Sequence, residues 1–158
     1  MCEFTAAAAQ TVNPGETVVF TETSLQCNRG FVRHRDDTGN FLLAGYAPNN
    51  QNRSCQCCNA RRLANYLVEF GANIAIPTGG TVGEIALAFS VDGATVPATA
   101  MRVTPAAVEE YFNVNCARSI DVWKGCCESL SVRNIGAEPI LVQEANIVIS
   151  RPDLYLSM

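Results

Sequence analysis

Cysteine is the residue type in this sequence with the widest choice of chemistry. The chain has eight cysteines and a single histidine in 158 residues. Such density is typical of a disulfide framework in an oxidising compartment, or of metal ligands in a reducing one. The positions are Cys2, Cys27, Cys55, Cys57, Cys58, Cys116, Cys126 and Cys127.

The densest cluster, Cys55-Gln56-Cys57-Cys58, can be tested against the geometry of a zinc site. Structural zinc sites usually present two pairs of cysteines, each pair separated by two to four residues. Adjacent cysteines fit that pattern poorly. A redox motif is present literally, since two residues separate Cys55 from Cys58, but it lies in a polar stretch without a helix that would lower the thiol pKa. Disulfide bonding is therefore the favoured interpretation, and a metal-stabilised domain is a further alternative.

Adjacent cysteines rarely bond to each other because the small ring strains the peptide. Each doublet is thus expected to reach other segments, and the two doublets could bond to one another within or between subunits. Cys2, near the chain terminus, is expected to reach a neighbouring molecule, while Cys27 and Cys116 are expected to be small buried hydrophobic residues. The disulfide candidates are Cys2, Cys55, Cys57, Cys58, Cys126 and Cys127.

The remaining polar motifs give no catalytic site. His34 lies in an alternating strand and is the only histidine that a nucleophile could use as a base. Asp37-Thr38-Gly39 matches an aspartic-protease triplet literally, but its surroundings predict a hairpin turn. Glu109 and Glu110 are expected on a solvated face. We expect no catalytic residue, no bound cofactor and no metal.

The composition of the chain limits the kinds of partner that it is expected to bind. The net charge is −4, which does not favour nucleic acid, since its recognition begins with a basic surface. No run approaches the ~18–20 apolar residues of a membrane span. The first ten residues resemble no secretory signal, so synthesis in the cytoplasm is expected. Only 16% of residues are charged, which suits a surface that is covered by other copies.

Short alternating segments rich in β-branched residues follow one another along the chain, separated by turns with Gly, Pro or Asn. About ten such strands predict an all-β sandwich or barrel. Residues 31–34 and 41–44 are expected to form a hairpin, and residues 106–110 are the main helical candidate. We assign residues 1–14 to an arm or connector and residues 15–158 to the folded domain, with a Cys-rich loop at 46–62.

Residues 66–151 resemble the C1q/TNF-like jelly roll, in particular the C-terminal domain of BclA-type exosporium proteins and related phage virion proteins. The similarity rests on the aromatic strand at 66–70, the strand ending at Asp92-Gly93, the unit from Ser119 to Gly125, and the late strand at 145–150. BclA-type proteins carry a Gly-X-Y stalk that this sequence lacks. The resemblance implies a jelly-roll β-sandwich of about ten strands that forms trimers.

The function expected from this combination is structural and non-enzymatic. Disulfide-linked trimers would build or decorate a particle surface, either a phage virion or a spore layer, in contact with other proteins of that surface. The alternative is a carbohydrate- or receptor-binding module. In that case Trp123 is the candidate ligand-facing residue, although packing in the core or at a trimer axis is its other interpretation.

Overall fold

A computed structural model describes residues 1–27, 30–45, 63–123 and 127–154. These residues form strands and short 3₁₀ turns, the latter at Pro97–Thr99 and Pro152–Leu154, and they contain no α-helix. None of the described helices is long and apolar enough to cross a membrane. The expectation of an all-β sandwich is confirmed.

The strands are divided between two antiparallel sheets, each six-stranded. Sheet A consists of β1 (Cys2–Ala6), β2 (Gln10–Val12), β3 (Glu22–Leu25), β6 (Leu63–Ala75), β10 (Phe112–Trp123) and β12 (Ile140–Ser150). Its order is β10-β6-β12-β1-β3, and β2 also pairs with β12.

Sheet B covers the other side of the core. It consists of β4 (Val32–His34), β5 (Phe41–Ala44), β7 (Ile85–Val91), β8 (Ala94–Thr95), β9 (Met101–Val103) and β11 (Cys127–Asn134). The order is β4-β5-β11-β7-β8, with β9 also paired to β7.

Alternation along the long strands explains why the two sheets stack. In β6 every second side chain from Ala64 to Ile74 is buried, and β12 repeats this pattern. Because successive side chains of a strand point to opposite faces, one face of each sheet is apolar and packs on the other sheet. Edge-to-face rings join the sheets: Phe70 of β6 contacts Phe89 of β7 with centroids 6.5 Å apart.

Two turns agree with the sequence interpretation. Strands β4 and β5 form the expected hairpin, with Arg33 opposite Leu42, and Asp37 in the connection has a positive φ of 60°. Asp92 and Gly93 join β7 to β8 with φ values of 49° and 82°. Both central residues are left-handed, as a two-residue hairpin turn of the primed type requires.

Other segments differ from the expectation. Residues 106–110 form no helix, since Glu109 has a left-handed φ of 57° that a right-handed helix cannot contain. The Glu110 carboxylate accepts hydrogen bonds from the Ala106 and Ala107 N–H groups within this turn. Residues 140–150 form a single strand, which is longer than the strand at 145–150 that the sequence predicts. The register of β12 shifts between Gln143 and Asn146, and Glu144 there has a φ of 53°. The strand therefore continues across this register shift as a β-bulge.

The N-terminal segment also differs. Residues 1–14 are not an arm beside the domain, since β1 lies between β12 and β3 inside sheet A and β2 pairs with β12. Cys2, Phe4 and Ala6 are buried in the core. The first strand of the chain is thus an interior strand of its sheet.

Candidate functional site

Cys2 and Cys27 form a disulfide within the chain, with Cα atoms 4.6 Å apart. This corrects two expectations. Cys27 is a bonded residue rather than a small free hydrophobe, and Cys2 is buried in β1 rather than available to a neighbouring molecule. The pairing holds the edge strand β3 against β1.

The other cysteines divide into described and undescribed positions. Cys55, Cys57, Cys58 and Cys126 lie outside the described residues, as does the Cys-rich loop at 46–62. Among described residues the free cysteines are Cys127, which is exposed, and Cys116, which is half-buried in β10. Burial raises the pKa of the Cys116 thiol, and the nearby Arg118 opposes that rise.

The connections that carry the undescribed cysteines start and finish at one end of the sandwich. Ala44, before the first connection, is paired with Cys127, after the second. Leu63, after the first connection, is paired with Trp123, before the second. We call this the cysteine end. The opposite end is where β11 finishes and β12 begins.

A buried ion pair closes the cysteine end. Arg151 donates two hydrogen bonds to the Asp153 carboxylate, at 2.9 and 2.8 Å. Its guanidinium lies 4.6 Å from the Phe31 ring centroid and 5.0 Å from that of Tyr66. The Tyr66 hydroxyl reaches the Ala44 and Phe31 carbonyls at 2.6 and 3.0 Å. This network fixes the strand end from which the Cys-rich connection departs.

The pKa shifts of Arg151 and Tyr66 both favour the protonation states that this network requires. Burial disfavours charge on Arg151, but the Asp153 carboxylate outweighs it, so the pKa of the guanidinium is raised. Burial likewise raises the pKa of Tyr66, so its hydroxyl stays protonated and donates. A cation between two rings and a bidentate carboxylate is a stable arrangement for Arg.

His34 is a structural residue. Its Nε2 lies 2.9 Å from the Thr38 carbonyl oxygen and donates to it, and its ring stacks on Phe41 with centroids 4.6 Å apart. Thr38 belongs to the Asp37-Thr38-Gly39 turn, where its hydroxyl donates to the Arg35 carbonyl. Among the described residues, no group of three His, Cys, Asp or Glu side chains is placed to hold a metal ion.

The outer face of sheet A carries acidic but no basic side chains in its described strands. Because Val114, Ile120 and Val122 point into the core, the odd-numbered residues of β10 point outward and Arg118 points between the sheets. The charged residues of the outer face are Glu3, Glu22, Glu69, Asp121 and Glu144. Amide side chains lie between them: Asn113 donates to Asn73, which donates to Glu144, at 3.1 and 2.7 Å.

Trp123 lies on this outer face, 57% exposed. Asp121, two residues earlier, points the same way, and its carboxylate accepts a 2.7 Å hydrogen bond from the Asn65 amide. Packing in the core is therefore excluded for Trp123. Asp121 and Asn65 are not among the residues predicted from the sequence. The two-residue spacing of Asp121 and Trp123 on a strand indicates that they share a face, whereas the contact with Asn65 depends on the pairing of β10 with β6.

An open groove of about 280 Å³ lies beside β10, between the edges of the two sheets. Phe89, Val91 and Val96 form its apolar side, and Arg118 and Ile120 of β10 form the other. The groove therefore faces the same flank as the outer edge of β10.

The comparison that decides the fold is with a solved structure. The globular domain of zebrafish complement 1qA superposes with a TM-score of 0.56, at 11% identity, over 93% of this chain and 94% of that one. The fold is a C1q/TNF-like jelly roll. At this identity the likeness concerns the fold alone.

Two further solved structures match less well. The sugar-binding EclA C-terminal domain gives a TM-score of 0.40 at 13% identity, over 90% of this chain and 79% of that chain. A family 35 carbohydrate binding module from Clostridium thermocellum gives 0.33 at 15% identity, over 92% and 90%. No protein-family model matches the sequence, and no curated protein does.

Proposed function

We propose that this protein is a non-enzymatic structural module that self-assembles, as a trimer with disulfide cross-links, on the surface of a virion or spore. The observation that carries the proposal is the exposed Cys127 thiol at the cysteine end. The core and the Cys2–Cys27 bond hold the described domain without it. An exposed thiol next to other cysteines is therefore suited to joining chains.

The chemistry of the described residues agrees with a non-catalytic role. His34 is held by a carbonyl and a ring stack, and a nucleophile would have no other histidine to use as a base. Covalent links between subunits would make the assembly insensitive to dilution, which benefits a particle exposed to its surroundings.

The mass of the purified protein in solution tests self-assembly. We expect light scattering to give three times the chain mass, and oxidation with a small disulfide to give covalent oligomers on a non-reducing gel. Cys127→Ser should reduce the covalent fraction, while Cys116→Ser, a half-buried control, should not. A protein that remains monomeric and uncross-linked at all concentrations would refute the proposal.

The particle itself requires a separate test. Antibodies against the chain should label the outside of purified virions or spores from the producing cell. Neighbouring genes for capsid or for sporulation would distinguish the two settings. Labelling of neither particle would overturn the surface assignment while leaving the self-assembly intact.

Carbohydrate binding is the second candidate, and the cluster of Trp123, Asp121 and Asn65 favours it. Sugars are commonly bound by an aromatic face that stacks on the ring and by carboxylate and amide groups that bond its hydroxyls. Here the exposed indole and a carboxylate held by an amide lie on one face, about 7 Å apart along the strand. Glycan-array binding should be lost in Trp123→Ala and weakened in Asp121→Asn. Phe112→Ala, at the other end of β10, is the matched aromatic control.

A further inference from the structure

Strand β3 covers one edge of sheet A without burying a side chain of its own. Every residue from 21 to 26 is exposed. The strand lies at the end of the sheet order and pairs with β1 through three residue pairs, with a register shift between Glu3 and Phe4. The 2.8 Å hydrogen bond between the Ser24 and Thr5 hydroxyls is itself exposed. Burial of apolar surface therefore contributes little to holding β3 in place.

The chain is held firmly before β3 begins and again after it ends. The Gln10 side-chain amide bonds both the N–H and the C=O of Val19 at 2.8 Å, and Phe20 is fully buried. On the other side Phe31 is buried, and its carbonyl accepts the Tyr66 hydroxyl at 3.0 Å. Residues 21–27, which we call the strap, therefore lie between two anchored positions.

The Cys2–Cys27 disulfide is the covalent contact between the strap and the rest of sheet A. Cys27 is half-buried and packs against the core, whereas Cys2 is 2% exposed. Ordering the backbone of the strap costs conformational entropy, and a few ladder hydrogen bonds with no buried side chain offset it poorly. The disulfide should therefore determine whether β3 stays paired with β1.

We propose that the strap is a redox-sensitive cover of the β1 edge, which the Cys2–Cys27 bond closes and which reduction releases while the sandwich stays folded. A small thiol attacks the Cys27 sulfur, the more accessible of the two, and forms a mixed disulfide with it. Cys2 leaves as a thiolate and takes up a proton. A second small thiol then attacks the sulfur of the first, so that Cys27 is released as a thiol and the two small thiols become a disulfide.

Release of the strap uncovers the outer edge of β1 without removing β1 from its sheet. On its other side β1 pairs with β12 through five consecutive residues, from Cys2 opposite Ile149 to Ala6 opposite Ala145. Cys2, Phe4 and Ala6 are also buried in the core. The uncovered edge of a strand is a template for pairing with another chain. The oxidised chain therefore covers an edge that the reduced chain exposes.

This inference goes beyond the proposed self-assembly and does not depend on it, since both cysteines belong to one chain. A closed strap protects the β1 edge in oxidising surroundings. In reducing surroundings the same edge becomes open to strand pairing. The device is thus a switch of local structure, separate from any cross-link at Cys127.

Hydrogen exchange measured by mass spectrometry, with and without dithiothreitol, tests the strap. Oxidised wild type should protect the strap amides, among them the Thr21 N–H, which donates to the Thr5 carbonyl at 3.1 Å. Reduction should speed their exchange at least about tenfold, while the amides of the interior strand β6 stay protected. Cys27→Ser removes the bond without emptying the buried Cys2 site, and its strap should exchange fast under both conditions. Cys127→Ser, at an exposed free cysteine, should keep the wild-type response.

Each other outcome overturns the proposal. Equal protection of the strap in oxidised and reduced wild type would show that the disulfide does not hold it. Exchange of the strap only together with β6 would show that reduction opens the whole sandwich. A strap that needs reductant even in Cys27→Ser would assign the effect to other cysteines. Light scattering decides self-assembly separately, so the failure of one proposal leaves the other standing.

Discussion

The two ends of this sandwich are closed by different kinds of polar group. At the cysteine end a buried cation, Arg151, is neutralised by Asp153 and lies between aromatic rings. At the opposite end a neutral amide, Asn134, donates to the Val12 and Glu138 carbonyls at 3.0 and 2.8 Å and accepts from the Gly136 N–H at 2.9 Å. Both side chains are buried, at 4% and 1% exposure.

The two ends should differ in how much stability is lost when one member of the buried polar contact is removed. A buried carboxylate without its cation keeps a charge in a poor solvent, whereas carbonyls without their amide lose only neutral hydrogen bonds. The cysteine end should therefore depend more strongly on a single residue. This is also the end that holds the Ala44 and Phe31 carbonyls through Tyr66.

The largest effect is expected from Arg151→Met. It leaves the Asp153 carboxylate buried without its partner, and loss of one member of a buried pair costs about 3–5 kcal/mol of unfolding free energy. Urea denaturation followed by tryptophan fluorescence measures the loss.

The matched control is the exposed pair of Arg102 and Glu84, whose side chains are both 54% exposed and whose charged atoms are also 2.8 Å apart. Arg102→Met should cost at most ~1 kcal/mol. Equal costs for the two variants would mean that burial of Arg151 contributes nothing, and the contrast between the ends would fail.

The disulfide adds a covalent element to the cysteine end. Cys2 and Cys27 are separated by 25 positions in the sequence, and closing a loop of that length is worth roughly 3 kcal/mol. The double variant Cys2→Ala, Cys27→Ala should lose about this amount in denaturant without reductant. Adding reductant should bring the wild type to the same midpoint as the variant. A reductant effect that persists in the double variant would show that other cysteines contribute.

A smaller effect is expected at the opposite end. Asn134→Leu keeps the side-chain volume but leaves the Val12 and Glu138 carbonyls and the Gly136 N–H without this partner. The cost should be about 2 kcal/mol, below that of Arg151→Met. Asn113→Leu removes an exposed amide of β10 that donates to Asn73 Oδ1 at 3.1 Å and to the Ala72 carbonyl at 3.4 Å, and it should change stability by less than ~0.5 kcal/mol. If Asn134→Leu exceeded Arg151→Met, the order of the two ends would be reversed.

Much of the sandwich is predictable because its signal is local. The alternation that buries every second residue of β6 and β12 is visible in the sequence, as are the Asp92-Gly93 turn and the hairpin around Asp37. Each of these depends on residues within a few positions of each other, where side-chain spacing and backbone preference act directly.

The parts that could not be predicted depend on distant segments. Arg151 meets Phe31 and Tyr66, which lie 120 and 85 positions earlier in the chain. Cys2 finds Cys27 only because β1 and β3 are neighbours in sheet A. The adjacent cysteine doublets are the more conspicuous pattern in the sequence, and they favoured pairings other than Cys2 with Cys27, the pair that is formed. Exposure of Trp123 likewise depends on which face of β10 is turned away from sheet B, and that is set by the pairing of β10 with β6.

The smallest expected effect is a pH dependence at the cysteine end. Burial, together with repulsion from Asp92, raises the pKa of Glu128 above its ordinary value of 4.5. A carboxyl group with a raised folded pKa stabilises the fold when protonated, so this contribution is present below pH 4.5 and is lost as the pH rises through the folded pKa. Glu128→Gln should therefore be more stable than the wild type at neutral pH, by at most ~0.5 kcal/mol because the site is partly solvated. The difference should vanish in acid, and Glu69→Gln, on the exposed outer face, controls for the loss of a negative charge. A gain that is the same at acid and neutral pH would show that packing of the amide, rather than ionisation of Glu128, is responsible.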